Sequence, residues 1–210
     1  MNKEQENLLD LGLILPVVEE FYSLQGEGLQ AGKAAAFVRI GGCDVGCAWC
    51  DSKESWNPSV FPPKTIESIL KNIQSYHCKA VVITGGEPLS WNLNPLCELL
   101  KRHGIETYLE TSGSQSLTGQ WDWVCLSPKK NSPPLPDIFA NAHELKVIIH
   151  DETDFIWAEE NARRVKKTCA LLLQPEWSRK DIMLPAIIDY ILSHTQWRLS
   201  LQMHKWAKIP

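Results

Sequence analysis

Ala34-Ala35-Ala36-Phe37-Val38-Arg39-Ile40 runs into Gly41-Gly42-Cys43-Asp44-Val45-Gly46-Cys47-Ala48-Trp49-Cys50. The first seven residues alternate and favour extended backbone, which predicts a core strand. The strand delivers a loop with three thiols spaced by three residues and then two. Side chains so close converge only where the backbone turns tightly, and Gly41, Gly42 and Gly46 give it that freedom. Thiolates are soft ligands for zinc, copper(I) or iron–sulfur clusters. Three of them leave one coordination position open, whereas a structural zinc site closes with four. A zinc reading needs a fourth ligand, for which Cys78 or His77 is the candidate.

Working outward, the chain alternates strands with helices. Upstream, Val17–Leu24 reads as a strand ending at Gln25-Gly26-Glu27-Gly28, and residues 1–14 as an arm docked by Leu8, Leu9, Leu11 and Leu13. Downstream, Thr65–Tyr76 carries Ile66, Ile69, Leu70 and Ile73 at helical spacing. Val81–Thr84 is a short apolar strand stopped by Gly85-Gly86, and Leu93–His103 is a second helix capped by Gly104. Strands follow at Glu106–Glu110 and Trp123–Leu126, then a proline-rich loop from Pro128 to Pro136. Leu145–His150 is a strand, and Phe155, Ala158, Ala162 and Val165 mark a helix. Leu171–Gln174 (strand), Asp181–Ser193 (helix) and Arg198–Gln202 (strand) complete the pattern.

About seven strands separated by helices predict a single α/β domain over residues 1–210, built on a parallel sheet. Ligands in such sheets gather at the carboxyl ends of the strands. The glycine-rich and polar segments fall there: Gly41-Gly42-Cys43, Thr84-Gly85-Gly86-Glu87-Pro88, Glu110-Thr111-Ser112-Gly113, Ser127-Pro128-Lys129 and Gln174-Pro175-Glu176.

Composition excludes several classes. The 210 residues are 44% hydrophobic and 22% charged with a net charge of −4, so no basic field attracts nucleic acid or an acidic membrane. No apolar run reaches membrane-span length and Met1–Asp10 is polar, so a cytoplasmic location is expected. Of seven cysteines, Cys78, Cys97, Cys125 and Cys169 stand singly among apolar residues as small hydrophobes. A disulfide framework is not expected in such a chain.

Cys43-x3-Cys47-x2-Cys50 together with Thr84-Gly-Gly-Glu-Pro88 resembles the radical S-adenosylmethionine (SAM) enzymes. That resemblance implies an incomplete TIM-like β/α barrel with the active site at the C-terminal strand ends. It also implies a [4Fe–4S] cluster on Cys43, Cys47 and Cys50, and SAM on the cluster's unique iron. Gly86 and Glu87 would hold the methionine end, and Trp49 would shield the cluster or stack on the cofactor. Phe21–Gly28, Phe37-Val38-Arg39, Cys50-Asp51-Ser52, Ser127-Pro128-Lys129 and Arg198–Lys205 with Ile209-Pro210 are similar, more narrowly, to the 7-carboxy-7-deazaguanine synthases.

Members of that family rearrange 6-carboxy-5,6,7,8-tetrahydropterin into 7-carboxy-7-deazaguanine with loss of ammonia, on the route to queuosine. The likeness implies pterin contacts from Leu24, Gln25, Gly26, Arg39, Thr84 and the carboxylate of Pro210. It implies SAM contacts from Ser127, Pro128, Lys129, Gln174, Pro175, Glu176 and Trp177, and Mg²⁺ on Ser52. A reducing partner such as a flavodoxin and a homodimer are expected on the same ground. The chain departs from the family pattern at Ser52, Met203 and Glu176-Trp177. No acid–base residue beyond the cofactor radical is assigned, although His204 is a candidate. The cysteine spacing also permits an activating enzyme that makes a glycyl radical on a protein partner. A non-catalytic metal or electron-transfer protein is the reading outside enzymes.

Overall fold

The computed structural model describes residues 3–210. Met1 and Asn2, the start of the expected arm, lie outside them. The elements run α1 (Lys3–Asp10), β1 (Ile14–Leu24), β2 (Ala34–Ile40), β3 (Pro63–Thr65), α2 (Ile66–Ser75), β4 (Ala80–Gly85), α3 (Asn94–Arg102), β5 (Glu106–Thr111), β6 (Trp123–Leu126), β7 (Glu144–Ile149), α4 (Thr153–Ala162), β8 (Ala170–Pro175), α5 (Lys180–Ser193), β9 (Trp197–Leu199) and α6 (Met203–Ala207). The nine strands form one sheet in the order β3-β1-β2-β4-β5-β6-β7-β8-β9. From β2 to β9 every pairing is parallel. The sheet is a partial β/α barrel, left open between its two ends.

Three features differ from the sequence reading. The expected parallel sheet carries an antiparallel margin, because β1 pairs antiparallel with both β2 and β3. A nine-residue connection from β1 to β2 is too short for the crossover that parallel pairing requires. Within the expected arm, Lys3–Asp10 form a helix, with Leu9 buried, while Leu11 and Leu13 beyond it stay exposed. The stretch around Arg198–Gln202 yields a strand of only three residues, and α6 follows. Neither β3 nor α6 has enough periodic residues to announce itself.

Alternate strand residues divide the core in two. Facing the helices lie Ala36, Val38 and Ile40 of β2, Val81 and Ile83 of β4, Leu109 of β5, and Leu145, Val147 and Ile149 of β7. The helix α2 seats Ile66, Ile69, Leu70 and Ile73 on this face, each contributing about 1.5–3 kcal/mol of apolar burial. Its start is fixed by Thr65, whose hydroxyl accepts from the Ser68 amide at 3.2 Å. On the concave face a smaller apolar plug of Ala35, Phe37, Ala80, Val82 and Tyr108, joined by Phe21 and Trp123, closes the lower end of the barrel. Above the plug the inward residues turn polar, and there the cavity begins.

Candidate active site

A cavity of about 520 Å³ occupies the C-terminal end of the barrel, within the size range of small-molecule sites. One side is the cysteine loop. Its backbone hangs from neighbours at both ends: Gly41 N–H donates to Pro16 O at 2.7 Å, Gly42 N–H to Ser55 O at 2.7 Å, and the Trp91 indole to Gly41 O at 2.8 Å. Further along, Gln115 donates to Asp44 at 2.9 Å and Asn131 to the Val45 carbonyl. The sulfurs of Cys43, Cys47 and Cys50 all face the cavity and are half-buried. Burial pushes the Cys43 and Cys47 thiols up; at Cys47 the nearby Lys129 ammonium opposes it.

The spacing of the sulfurs bears on which metal they suit. Among the described residues, one group of three Cys, Asp, Glu or His ligand atoms lies mutually within 4.8 Å, that of Glu110, Cys125 and Glu144. The three loop sulfurs are not all within that distance of one another. Thiolates on one tetrahedral zinc, with Zn–S bonds of about 2.3 Å, sit only about 3.8 Å apart. A multi-iron cluster spreads its thiolates over separate irons, and three thiolates leave one iron without a protein ligand.

The Gly85-Gly86-Glu87 segment is pressed against this loop. Gly86 N–H donates to Ile40 O at 2.9 Å and Glu87 N–H to Gly42 O at 2.8 Å. A Cβ on Gly86 would collide with the Gly42 carbonyl and the Cys43 Cβ, and Gly85 adopts φ +130 against Ile40. Glycine is required because two backbones share the space. Glu87 is 1% exposed, and its carboxylate accepts from the Thr111 hydroxyl at 2.6 Å, the Ser112 amide at 2.8 Å and the Leu89 amide at 3.1 Å. It therefore ties the ends of β4 and β5 together.

On the opposite side, Leu24, Gln25 and Gly26 leave β1 in a turn that crosses the barrel mouth and meets the C-terminal segment. The Met203 amide donates to Gly26 O at 2.8 Å, and Gly28 N–H to the Ser200 hydroxyl at 3.0 Å. A Cβ on Gly26 would strike the His204 ring, and one on Gly28 the Glu144 carboxylate. Pro210 is brought to the same cavity, its carbonyl accepting from the Ser23 hydroxyl at 3.1 Å. Turn and tail together bridge the gap in the open barrel.

Every residue that the family likeness assigns to the cluster, SAM, Mg²⁺ or the pterin lines this cavity except Pro128, which is buried; Met203 and the zinc candidates His77 and Cys78 do not line it. Arg39 faces in from β2 beside Thr84 of β4, its Nε held by Glu19 at 2.7 Å. Ser52 lies beside Cys50, with Oγ 3.7 Å from the sulfur. Lys129 is held by the Ser127 carbonyl and hydroxyl at 2.5 and 2.7 Å and lies over the Trp49 ring. Burial pulls its ammonium below the usual lysine range. Gln174, Pro175, Glu176 and Trp177 form the rim at the end of β8, and Trp177 meets Trp206 of α6 edge-on.

Sequence reasoning missed the charged floor. Glu27, Glu110 and Lys146 line the cavity, with Lys146 Nζ 2.5 Å from Glu27 and 2.9 Å from Glu110. Burial opposes ionisation of Glu27, yet Lys146 prevails and holds its carboxyl down at about 2. Glu144, under the same floor, is raised by burial and by Glu110. The signal was present in Glu144-Leu-Lys146, two charges at strand spacing inside an otherwise apolar strand.

Comparison with known proteins agrees with this geometry. Residues 37–124 match the family model of the radical SAM superfamily. A 7-carboxy-7-deazaguanine synthase of Flavobacterium psychrophilum is 50% identical over 210 residues, the whole of both chains. One from Synechocystis is 50% identical over 92% of this chain and 93% of its own. The crystal structure of QueE from Escherichia coli superposes with a TM-score of 0.82 at 30% identity, covering 97% of this chain and all of that one. With its three-cysteine loop, its glycine-packed β4 end and full-length likeness to these relatives, the chain belongs to the 7-carboxy-7-deazaguanine synthase family of the radical SAM superfamily.

Proposed function

We propose that the chain is a radical SAM lyase converting 6-carboxy-5,6,7,8-tetrahydropterin to 7-carboxy-7-deazaguanine with release of ammonia, in queuosine and 7-deazapurine biosynthesis. The carrying observation is that one cavity joins the cysteine loop to a turn-and-tail wall of pterin-sized reach. Cys43, Cys47 and Cys50 would hold the [4Fe–4S] cluster, and Gly86, Glu87, Ser127, Lys129 and Gln174–Trp177 surround the space for SAM beside it. Bound there, the pair supplies one-electron cleavage of a sulfonium bond and, through it, removal of a hydrogen atom from the pterin. The protein's own share is positioning and exclusion of water.

Arg39 presents a guanidinium to a substrate carboxylate or carbonyl, and Leu24–Gly26 offer fixed backbone groups to the heterocycle edge. Lys129 offers its ammonium to a cofactor carboxylate across the face of Trp49. Ser52 supplies a hydroxyl oxygen suited to Mg²⁺, a hard cation that keeps several of its waters. Gln174 is 1% exposed and accepts from the Ser200 hydroxyl at 2.7 Å, which fixes the rim of β8 against the tail.

The protein works as a homodimer in this reading. Support comes from α5, where Ile182, Ile188 and Leu192 are exposed along one apolar helix, a surface that partners commonly cover. A small flavodoxin-like protein delivers the electron, and the reaction belongs in the cytoplasm. Among the described residues no helix is long and apolar enough to cross a membrane.

Anaerobic incubation of the reconstituted protein with reductant, SAM, Mg²⁺ and 6-carboxytetrahydropterin tests the assignment. The expected result is 7-carboxy-7-deazaguanine with one ammonia released per product. Cleavage of SAM without that product, in protein with an intact cluster, rejects the substrate and leaves the superfamily standing.

A further inference from the structure

The Lys146 ammonium of β7 joins two other segments directly and a third through one of them. Its Nζ lies 2.5 Å from Glu27 Oε2 in the turn after β1 and 2.9 Å from Glu110 Oε2 near the end of β5. Glu110 Oε1 in turn accepts from Gln25 Nε2 at 3.0 Å, and Gln25 Oε1 accepts from the Glu27 amide at 3.3 Å. Lys146, Glu110, Gln25 and Glu27 thus form a closed ring of polar contacts. The tail enters through Gln202, whose Nε2 donates to Glu27 Oε1 at 2.9 Å.

The ring is buried, with the Lys146 side chain 4%, Glu27 17% and Glu110 18% exposed. All its members line the cavity. Charges placed this deep are a poor device for stability alone, because apolar residues of like volume serve as well or better. What the ring does achieve is geometric. The turn itself closes through Gln25 N–H to Lys33 O and Gly32 N–H to Gln25 O, each at 2.8 Å, but nothing in that closure aims it at the barrel. Glu27 and Gln25 draw it down onto β5 and β7, beside the Leu29 amide, which donates to Glu144 at 2.8 Å, and the tail contacts of Gly26 and Gly28.

We propose that Lys146 is a positioning residue for the pterin: it clamps Glu27 and Glu110 so that the Leu24–Gly26 turn and the Gln202 tail present their contacts to the substrate in one fixed geometry. This rests on the substrate reading above and goes beyond it, assigning a role to a lysine that touches no cofactor residue by itself. Burial opposes the charge on this ammonium, but the neighbouring Glu110, Glu27 and Glu144 outweigh it and hold its pKa above the usual lysine range.

The test uses Lys146→Met, which keeps the length of the side chain and removes the charge. Two measurements are made on the full chain with its cluster. One is the Kd for 6-carboxytetrahydropterin by fluorescence titration without reductant. The other is amide hydrogen exchange across residues 25–33 and across β4 and β5. The expected result is a pterin Kd at least thirtyfold weaker and a tenfold loss of protection confined to residues 25–33. Adding Glu110→Gln, which removes one of the two carboxylates left facing each other, recovers at least fivefold of the lost affinity.

A Lys146→Met protein that binds pterin within threefold of the parent overturns the proposal. So does a loss of protection spread evenly over the turn and the core strands, which is what a merely structural role gives. Where Lys146→Met does not fold, Glu27→Gln decides by the same two measurements, since it keeps the shape and loosens one arm of the clamp. A parent protein that binds no pterin sinks the substrate reading instead, while the exchange pattern still judges the clamp.

Discussion

The two faces of β7 are built on opposite principles. Toward the helices it presents Leu145, Val147 and Ile149, fully buried among aliphatic neighbours. Toward the barrel it presents Glu144 and Lys146, equally withdrawn from water but charged. Apolar packing on the outer face lowers the free energy of the fold by a mechanism indifferent to direction. Ion pairs on the inner face are directional and costly to bury, and apolar residues of like volume would stabilise the fold about as well. Where a sheet places charge in its interior at so little gain, the charge is there to arrange something else. The outer face makes the barrel; the inner face makes the site.

The sharpest way to break this contrast is at the cysteine rim. Cys47→Ala removes a cluster ligand on the cavity side, and cleavage of SAM is expected to fall to background with the iron content reduced. Because the residue is half-exposed, the midpoint of thermal unfolding shifts by no more than about 3 °C. A variant that retains full iron and activity shows the loop is not the cluster site.

Leu109→Ala on the outer face should do the reverse. Leu109 is completely buried in the helix-side core, so truncation costs about 2–5 kcal/mol and lowers the melting midpoint by roughly 5–15 °C. The KM for pterin stays within about twofold of the parent. A large KM change with little loss of stability would erase the division between the faces.

Acid titration sharpens the comparison on the inner face. Burial works against the Glu27 carboxylate, but Lys146 holds it at about 2 in the folded chain, against an ordinary value of 4.5. A depressed carboxylate stabilises the fold above its unfolded value, and that contribution disappears as pH falls from about 4.5 to about 2. At about 1.4 kcal/mol per pH unit it is on the order of 3 kcal/mol. Glu27→Gln should therefore flatten the stability curve over that window, followed by denaturant unfolding at successive pH values. Superimposable curves for parent and variant would mean that the floor is not electrostatically coupled.

The smallest effect is expected at the tail. Lys205 pairs with Asp51 at 2.7 Å across the mouth, with Asp51 59% exposed, so Lys205→Ala costs no more than about 0.5–1 kcal/mol of stability. Its signature is a modest rise in pterin KM, roughly two- to fivefold, with cluster content unchanged. An unaltered KM would leave the tail a passive cover.

Much of this was legible in the residues. Period-two alternation located β2, glycines after strands marked the mouth, and the stripe of Ile66, Ile69, Leu70 and Ile73 gave α2 to within a residue at each end. The site's rim was legible because unusual residues cluster there. Its floor was not, since Glu27, Glu110 and Lys146 are far apart in the chain, and nothing in the sequence shows that the three charges meet. The antiparallel margin escaped for a related reason: three residues at Pro63–Thr65 carry no period, and only the path of β1 recruits them. Gly86 was readable as a ligand contact, whereas its crowding against Gly42 and Cys43 needs coordinates to be seen.

Both margins of the nine-stranded sheet are stubs, β3 with three residues beginning at a proline and β9 with three at the other extreme. Short edges and prolines deny a foreign strand any ledge on which to align. Prolonged handling at high concentration, as anaerobic iron and sulfide loading demands, should thus not seed fibrils. Any self-association is left to helix surfaces instead of backbone ladders.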